Sequence, residues 1–116
     1  GVSIFWETQN GDNIMKKFGL DEKVIEEIVK VIANYAEVEK AVIFGSRARG
    51  DYRDGSDIDI ALFGNSLTHS INTNIFYEID NLYIVYKVDL INFNSLEKED
   101  KLKENILREG VEIYAK

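Results

Sequence analysis

The amino-acid sequence predicts a two-layer α/β (α+β) domain, with a small mixed sheet of about four strands and its helices packed on one side. Its length of 116 residues suits one domain with one core. Apolar residues recur with helical spacing in some stretches and with strand-like density in others. Proline is absent, and neither a repeat nor a low-complexity tract divides the chain. We therefore expect one domain in the order helix, strand, strand, helix, strand, helix, strand.

The first helix is predicted over residues 21–36. Its apolar residues share one helical face: Val24, Ile25, Ile28, Val29 and Ile32. Asp21 before them is a favourable N-cap. The next stretch is apolar at nearly every position, which indicates a strand over 40–44 that is buried on both faces. A short helical turn and a second strand are expected after it, over residues 46–49 and 56–63.

A second long helix is predicted over residues 67–82. Its apolar residues are spaced by four, four and three: Ile71, Ile75, Ile79 and Leu82. A third helix is predicted over 95–109, with Asn94 or Ser95 as its N-cap, since Glu97 completes the pattern of a capping box. Two further strands are expected, over residues 83–91 and, at the sheet edge, 111–114.

The first 14 residues show no clear period, and Met15 is the only methionine. We interpret 1–14 as a non-native or flexible extension and 15–116 as the domain. No apolar run approaches the ~20 residues of a membrane span. Cysteine is absent, which excludes disulfides and thiolate metal sites. We expect a cytoplasmic protein.

The charge distribution indicates which partners the domain can bind. The net charge is -7, whereas a surface for duplex nucleic acid usually needs a basic field. The exception is local: Arg47, Arg49 and Arg53 place three cations in seven residues. A small basic site on an acidic body suits a small anion such as a nucleotide, and we expect no binding to a nucleic-acid duplex.

Asp57 and Asp59 are the first candidate site residues. Residues i and i+2 of a strand point to the same face, so these carboxylates project side by side. Like charges at that distance repel unless a cation lies between them, and Mg²⁺ prefers carboxylates together with substrate phosphates. The alternative is two solvent-facing aspartates on an edge strand.

Three further features surround this pair. Gly45-Ser46, between a strand and a helical turn, could bind phosphate, because glycine lets backbone approach an anion closely and serine adds a hydroxyl. Asp89 lies in an apolar strand and could join the pair if the two strands are neighbours; the alternative is a strand-end residue or a salt-bridged one, with Lys87 as its candidate partner. Three carboxylates around two metals and a triphosphate would suit in-line phosphoryl transfer.

These residues together carry a family resemblance. Gly45-Ser46, ten residues and then Asp57-Ile58-Asp59 match the G-S-x10-D-x-D signature of the DNA polymerase β-like nucleotidyltransferase superfamily. Asp89 lies where that superfamily has its third carboxylate. The short chain and its closing residues 106–114 resemble the minimal nucleotidyltransferase (MNT) group in particular.

The resemblance implies a role for each matching residue. Gly45 and Ser46 would bind the phosphates of ATP, while Asp57, Asp59 and Asp89 would hold Mg²⁺, with two ions expected. Asp89 would also activate the acceptor hydroxyl. Arg47 and Arg49 are expected to contact the triphosphate, because arginine matches phosphate geometry; the alternative is that both are surface cations on a turn.

The resemblance also implies a partner. Many MNT proteins are antitoxins that transfer AMP from ATP to a tyrosine hydroxyl of a HEPN-domain toxin, and this activity is the leading hypothesis. One alternative is a non-catalytic antitoxin that neutralises its partner by binding. Another is a small-molecule nucleotidyltransferase, of the antibiotic-modifying kind, that works with a second subunit. A homo-oligomer is compatible with each of these.

Overall fold

The computed structural model describes residues 17–116. The expectations for residues 1–14 and for a start at Met15 lie outside the described residues. Across the described part, a short 3-10 turn at Lys17–Gly19 precedes four α-helices and four β-strands. In chain order these are α1 (Glu22–Ala33), β1 (Lys40–Phe44), α2 (Ser46–Arg49), β2 (Ile58–Phe63), α3 (His69–Asp80), β3 (Val88–Asn92), α4 (Lys101–Glu109) and β4 (Val111–Ala115).

The strands form one mixed sheet in the order β3-β2-β1-β4. β1 pairs antiparallel with both β2 and β4, whereas β2 and β3 run parallel. This confirms the predicted mixed sheet of four strands and places β4 at an edge, as expected. The parallel pair decides the position of the candidate site, because it brings the start of β3 beside the start of β2.

Both faces of the sheet are covered. On one face, Ala41 and Ile43 of β1 pack in a large core with side chains of α1 and α3. On the other face, Val42 and Phe44 pack with Ile106 of α4. The fold class is confirmed, but the expectation that the helices lie on one side is wrong, because α4 covers the second face. Alternate residues of a strand point to opposite faces, so a strand that is apolar throughout needs partners on both.

Several predicted boundaries also change. Asp21 caps α1 as predicted, and its side chain accepts a hydrogen bond from the N–H of Lys23. The last helix, by contrast, begins only at Lys101, because Asp100 caps it; the predicted cap at Asn94 or Ser95 is wrong. β3 is shorter than predicted, since residues 83–87 are irregular. Within residues 17–116, no helix has the length and apolar character needed to cross a membrane.

Candidate active site

Sheet pairing brings the predicted carboxylates together. Asp59 of β2 and Asp89 of β3 are direct register partners in the parallel pair. Asp57 immediately precedes β2, whose first residue donates a backbone hydrogen bond of 2.9 Å to the carbonyl of Lys87. Adjacent strands lie about 4.8 Å apart, so the two paired aspartates are immediate neighbours. The requirement that β3 lie beside β2 is thus met.

The strands hold these carboxylates on a rigid support. Ile58 and Ile60, which alternate with the aspartates, are fully buried in the core on the opposite face. Asp59 and Asp89 themselves are half-buried. Lys87 lies 3.9 Å from Asp89, measured from Nζ to Oδ1, so Asp89 has both the salt-bridge partner and the carboxylate neighbour that were weighed as alternatives.

The electrostatics of Asp59 reflect this crowding. Burial raises the pKa of Asp59 to about 6, with further contributions from the charges of Asp89 and Asp57 and from a hydrogen bond with Asp89. The positive charge of Arg49 opposes the rise in that pKa. The site therefore carries an excess of negative charge that a cation would relieve.

The fit of a divalent cation follows from the donor set. Asp57, Asp59 and Asp89 offer only oxygen ligands, which are the donors that Mg²⁺ prefers. Among residues 17–116, no three His, Cys, Asp or Glu side chains converge closely enough, as they lie, to hold an ion. Binding would therefore require the three carboxylates to turn toward a shared point, which is within reach of side chains on adjacent strands.

A glycine turn lies directly against Asp59. Gly45 has φ 78° and ψ -158°, a conformation that is open essentially only to glycine. A Cβ atom added there would lie 2.5 Å from Oδ2 of Asp59. Ser46, the next residue, begins α2. The backbone conformation requires glycine at position 45, and a Cβ atom there would also displace the carboxylate of Asp59.

The two candidate arginines have different surroundings. Arg49 is exposed, and its Nη1 lies 3.1 Å from Oε1 of Glu109 while its Nε lies 3.3 Å from Oδ2 of Asp51. Hydrogen bonds to Asp51 and then Glu109 raise the pKa of Arg49. This guanidinium is close enough to influence the pKa of Asp59, so it lies at the edge of the site.

Arg47 is only 3% exposed and is bound to backbone. Its Nε and Nη2 donate to the carbonyl of Ser56 at 3.1 and 2.9 Å, and its Nη1 donates to that of Phe18 at 2.9 Å. The rings of Tyr52 and Tyr86 flank the guanidinium, with centroids 5.1 and 4.8 Å away. These contacts differ from those expected of a triphosphate ligand or a surface cation. They join the segments around Phe18, Ser56 and Tyr86.

A cleft of about 490 Å³ adjoins the paired aspartates. Asp59 and Asp89 form part of its wall, and aromatic side chains line much of the rest. These are Phe44, Phe76 and Tyr77. Gly45, Ser46, Arg49 and Asp57 do not line it. Asp59 therefore contacts the glycine turn and also lines the cleft.

Sequence reasoning missed Glu109. This last residue of α4 accepts a hydrogen bond from the N–H of Gly45 at 2.9 Å and another from Arg49. Local periodicity carries no signal for such a contact, because 64 residues separate Glu109 from Gly45. The sequence signal that includes Glu109 is the resemblance of residues 106–114 to the C-terminus of the MNT group.

The family follows from comparison with known proteins. The family model described as "Polymerase beta, Nucleotidyltransferase" matches residues 26–116, so the chain belongs to this nucleotidyltransferase family. Two relatives from Methanocaldococcus jannaschii each bear the name "Putative protein adenylyltransferase". One is 30% identical over 92 residues, which cover 78% of this chain and 95% of the relative. The other is 43% identical over 47 residues, which cover 39% of this chain and 47% of that relative.

Solved structures share the fold. A toxin–antitoxin structure with AMP-PNP aligns with a TM-score of 0.65 at 21% identity, over 84% of this chain and 75% of that one. A structure of tri-AMPylated Shewanella oneidensis HEPN toxin in complex with MNT antitoxin gives a TM-score of 0.62 at 18% identity, over 82% and 72% of the two chains. The family resemblance predicted from the sequence motif is confirmed by the family model, and the chain shares the fold of the MNT antitoxin in that complex.

Proposed function

We propose that this protein is a Mg²⁺-dependent adenylyltransferase that transfers AMP from ATP to a tyrosine hydroxyl of a HEPN-type toxin and so acts as its antitoxin. The observation that carries the proposal is the pairing of Asp59 with Asp89 beside a glycine turn that packs against Asp59. This arrangement combines the anionic metal ligands and the close backbone approach that nucleotidyl transfer requires.

The triphosphate is assigned to the turn side of the carboxylates. Gly45 and Ser46 present backbone and a hydroxyl there, and Arg49 adds a positive charge that solvent can reach. Arg47 is left out of the proposed phosphate contacts, because its guanidinium donates to buried carbonyl groups instead. Its role is to hold the loop that joins α2 to β2.

Asp57, Asp59 and Asp89 are the residues that would hold Mg²⁺. When bound, the metal neutralises charge on the triphosphate and polarises the phosphorus–oxygen bonds. The elevated pKa of Asp59 supports this assignment, because it reports crowded negative charge that is unfavourable without a counter-ion.

The acceptor is assigned to the cleft. In-line displacement requires the attacking and leaving oxygens to lie on opposite sides of the phosphorus. With the polyphosphate at the turn, we place the acceptor in the cleft, which is lined by Asp59 and Asp89 but by neither Gly45 nor Ser46. An aromatic lining and a volume of about 490 Å³ suit a phenol side chain.

The tyrosine oxygen forms a bond to the α-phosphorus of ATP, and the bond from that phosphorus to the oxygen bridging the α- and β-phosphates breaks. Pyrophosphate leaves with the electron pair. A carboxylate oxygen of Asp89 takes the hydroxyl proton, and the chain otherwise contributes position and charge.

The relatives support this choice of substrate and partner. The names of the two Methanocaldococcus jannaschii proteins refer to protein adenylyltransferases. The Shewanella oneidensis structure pairs an MNT antitoxin with an AMPylated HEPN toxin. A HEPN-type protein is therefore the first acceptor to test.

The test uses the full chain, ATP labelled at the α-phosphate, MgCl₂ and the HEPN-type protein encoded beside it. We expect label on a tyrosine of the partner with wild type, and none with the double variant Asp57→Asn/Asp59→Asn. Partner peptides analysed by mass spectrometry would locate the AMP group.

The alternatives give different results. Neutralisation of the partner by both wild type and the double variant, without label, would refute the enzymatic proposal in favour of occlusion. Label on a small molecule, and none on the partner, would refute the protein acceptor.

A further inference from the structure

We propose that Glu109 is a positioning residue that holds the glycine turn and Arg49 in place beside Asp59. The inference rests on the proposed function for its consequence, namely nucleotide affinity. The contact itself is independent of that function.

The side chain of Glu109 makes two bonds with one oxygen. Its Oε1 accepts from the N–H of Gly45 at 2.9 Å and from Nη1 of Arg49 at 3.1 Å. It is only 13% exposed, so solvent competes little for this oxygen. A carboxylate that accepts hydrogen bonds in a partly buried place binds its donors more strongly than a neutral acceptor does.

The helix that carries Glu109 is itself firmly placed. A Cβ atom added to Gly110 would lie 2.5 Å from the carbonyl oxygen of Ile106 and 3.1 Å from Val42. The end of α4 thus packs closely on β1, the strand that leads into the turn. Because α4 packs on β1 and β1 leads directly into Gly45, the fold fixes the position of Glu109 relative to the turn.

The turn needs such support. The conformation of Gly45 is one that non-glycine residues avoid, and glycine loses more conformational freedom on folding than any other residue. A hydrogen bond from its N–H to α4 therefore selects one of many accessible turn conformations. The selected conformation is the one that packs against Asp59.

The charge of Glu109 has a second consequence. Arg49 is already paired with Asp51 at 3.3 Å, and Glu109 holds its other side. The guanidinium is therefore oriented before nucleotide binds, which reduces the entropy cost of a phosphate contact. We assign Glu109 as a lasting support rather than an anion that the triphosphate displaces.

Two variants of Glu109 separate its hydrogen bond with Gly45 from its ion pair with Arg49. Glu109→Gln keeps a side-chain oxygen that can accept from Gly45, while Glu109→Ala removes the acceptor. Glu104→Gln and Glu104→Ala are matched controls, because Glu104 lies on the same helix, is 72% exposed and pairs only weakly with Arg108 at 4.0 Å.

The first measurement needs no nucleotide. Hydrogen exchange of the Gly45 amide, followed by NMR on the full chain, should be about tenfold faster or more in Glu109→Ala, and within about threefold of wild type in Glu109→Gln and both controls. Urea unfolding identifies any variant in which faster exchange comes from global destabilisation. An unchanged Gly45 amide in Glu109→Ala would overturn the inference.

The second measurement is the affinity for MgATP. Glu109→Ala should bind about tenfold more weakly or worse, and Glu109→Gln should lie between wild type and Glu109→Ala, because it keeps an acceptor for Gly45 but loses the charge that orients Arg49. Tighter binding by both variants would overturn the inference, since it would make Glu109 a displaceable occupant. If wild type binds no MgATP, the proposed function fails. The hydrogen-exchange rate of the Gly45 amide then tests by itself whether Glu109 positions the turn.

Discussion

Replacing Asp59 with asparagine should stabilise the fold at neutral pH while abolishing nucleotidyl transfer. The ionised carboxylate of Asp59 is half-buried beside Asp57 and Asp89. Burial and the neighbouring charges raise its pKa to about 6 from an ordinary value of 3.8. Asparagine has nearly the same shape and carries no charge, so it avoids this cost.

The magnitude follows from the pKa of Asp59. One pKa unit corresponds to about 1.4 kcal/mol, so a rise in the pKa from 3.8 to about 6 sets an upper limit of about 3 kcal/mol for the penalty at pH 7. Solvent reaches part of the site and screens the charges, which reduces the expected gain to about 1 to 2 kcal/mol.

The direction of the shift in the pKa of Asp59 determines how the stability depends on pH. Because the folded-state pKa of Asp59 is the higher one, the native state binds the proton more tightly than the unfolded state. This group therefore costs the wild type stability as the pH rises from about 4 to 6, and the penalty is complete above that range. The advantage of Asp59→Asn should be full at pH 7.5 and nearly absent at pH 4.

The assay is urea unfolding in EDTA at a series of pH values, with Asp54→Asn as the control. Asp54 lies exposed in the loop before β2, so its replacement should change the free energy of unfolding by less than about 0.5 kcal/mol. A destabilised Asp59→Asn at pH 7.5, or a gain that does not shrink toward pH 4, would refute the reasoning.

Three further predictions concern the surroundings of this carboxylate. Gly45→Ala should cost about 1 to 3 kcal/mol more than Gly50→Ala in urea unfolding, because both glycines have positive φ but only at Gly45 would a Cβ meet Asp59; equal losses would contradict this. Arg47→Ala should lower the free energy of unfolding by about 2 to 4 kcal/mol, since its buried carbonyl partners lose their donors. Arg47→Lys should recover less than half of that lost stability, because a lysine ammonium cannot make the several hydrogen bonds of a planar guanidinium. Full recovery by lysine would contradict the assigned role of the guanidinium. Asp89→Asn, or EDTA in place of MgCl₂, should reduce AMP incorporation by at least about a hundredfold in the labelling assay, whereas undiminished transfer would remove Asp89 from the reaction.

Local pattern predicted the order of the elements and the residues of the candidate site. The spacing of apolar residues predicted α1 and α3, because a helical face repeats every three or four residues. The residues of β1 agree with the prediction at both ends. Gly45, Asp57 and Asp59 were predicted as site residues from the family signature, and Asp89 from its place in a later apolar strand; their roles in the site stay predictions.

Tertiary contacts decided the remaining features. The side of the sheet that α4 covers was predicted wrongly, because an all-apolar strand does not reveal which helix packs on which face. The last helix starts later than predicted because Asp100, rather than Asn94 or Ser95, makes the capping bond. Several polar residues before a helix can serve as caps, and the choice among them depends on where the preceding turn packs.

Arg47 and Arg49 show most clearly what local sequence predicts and what tertiary contacts decide. The sequence by itself determined that a basic turn follows Gly45 and that carboxylates follow on β2 and β3. Only the folded chain assigns Arg47 to buried carbonyls and Arg49 to Glu109, because these partners lie from 9 to 60 residues away. Contacts at that separation arise from the packing of elements, and the local sequence around an arginine does not encode which elements will meet it.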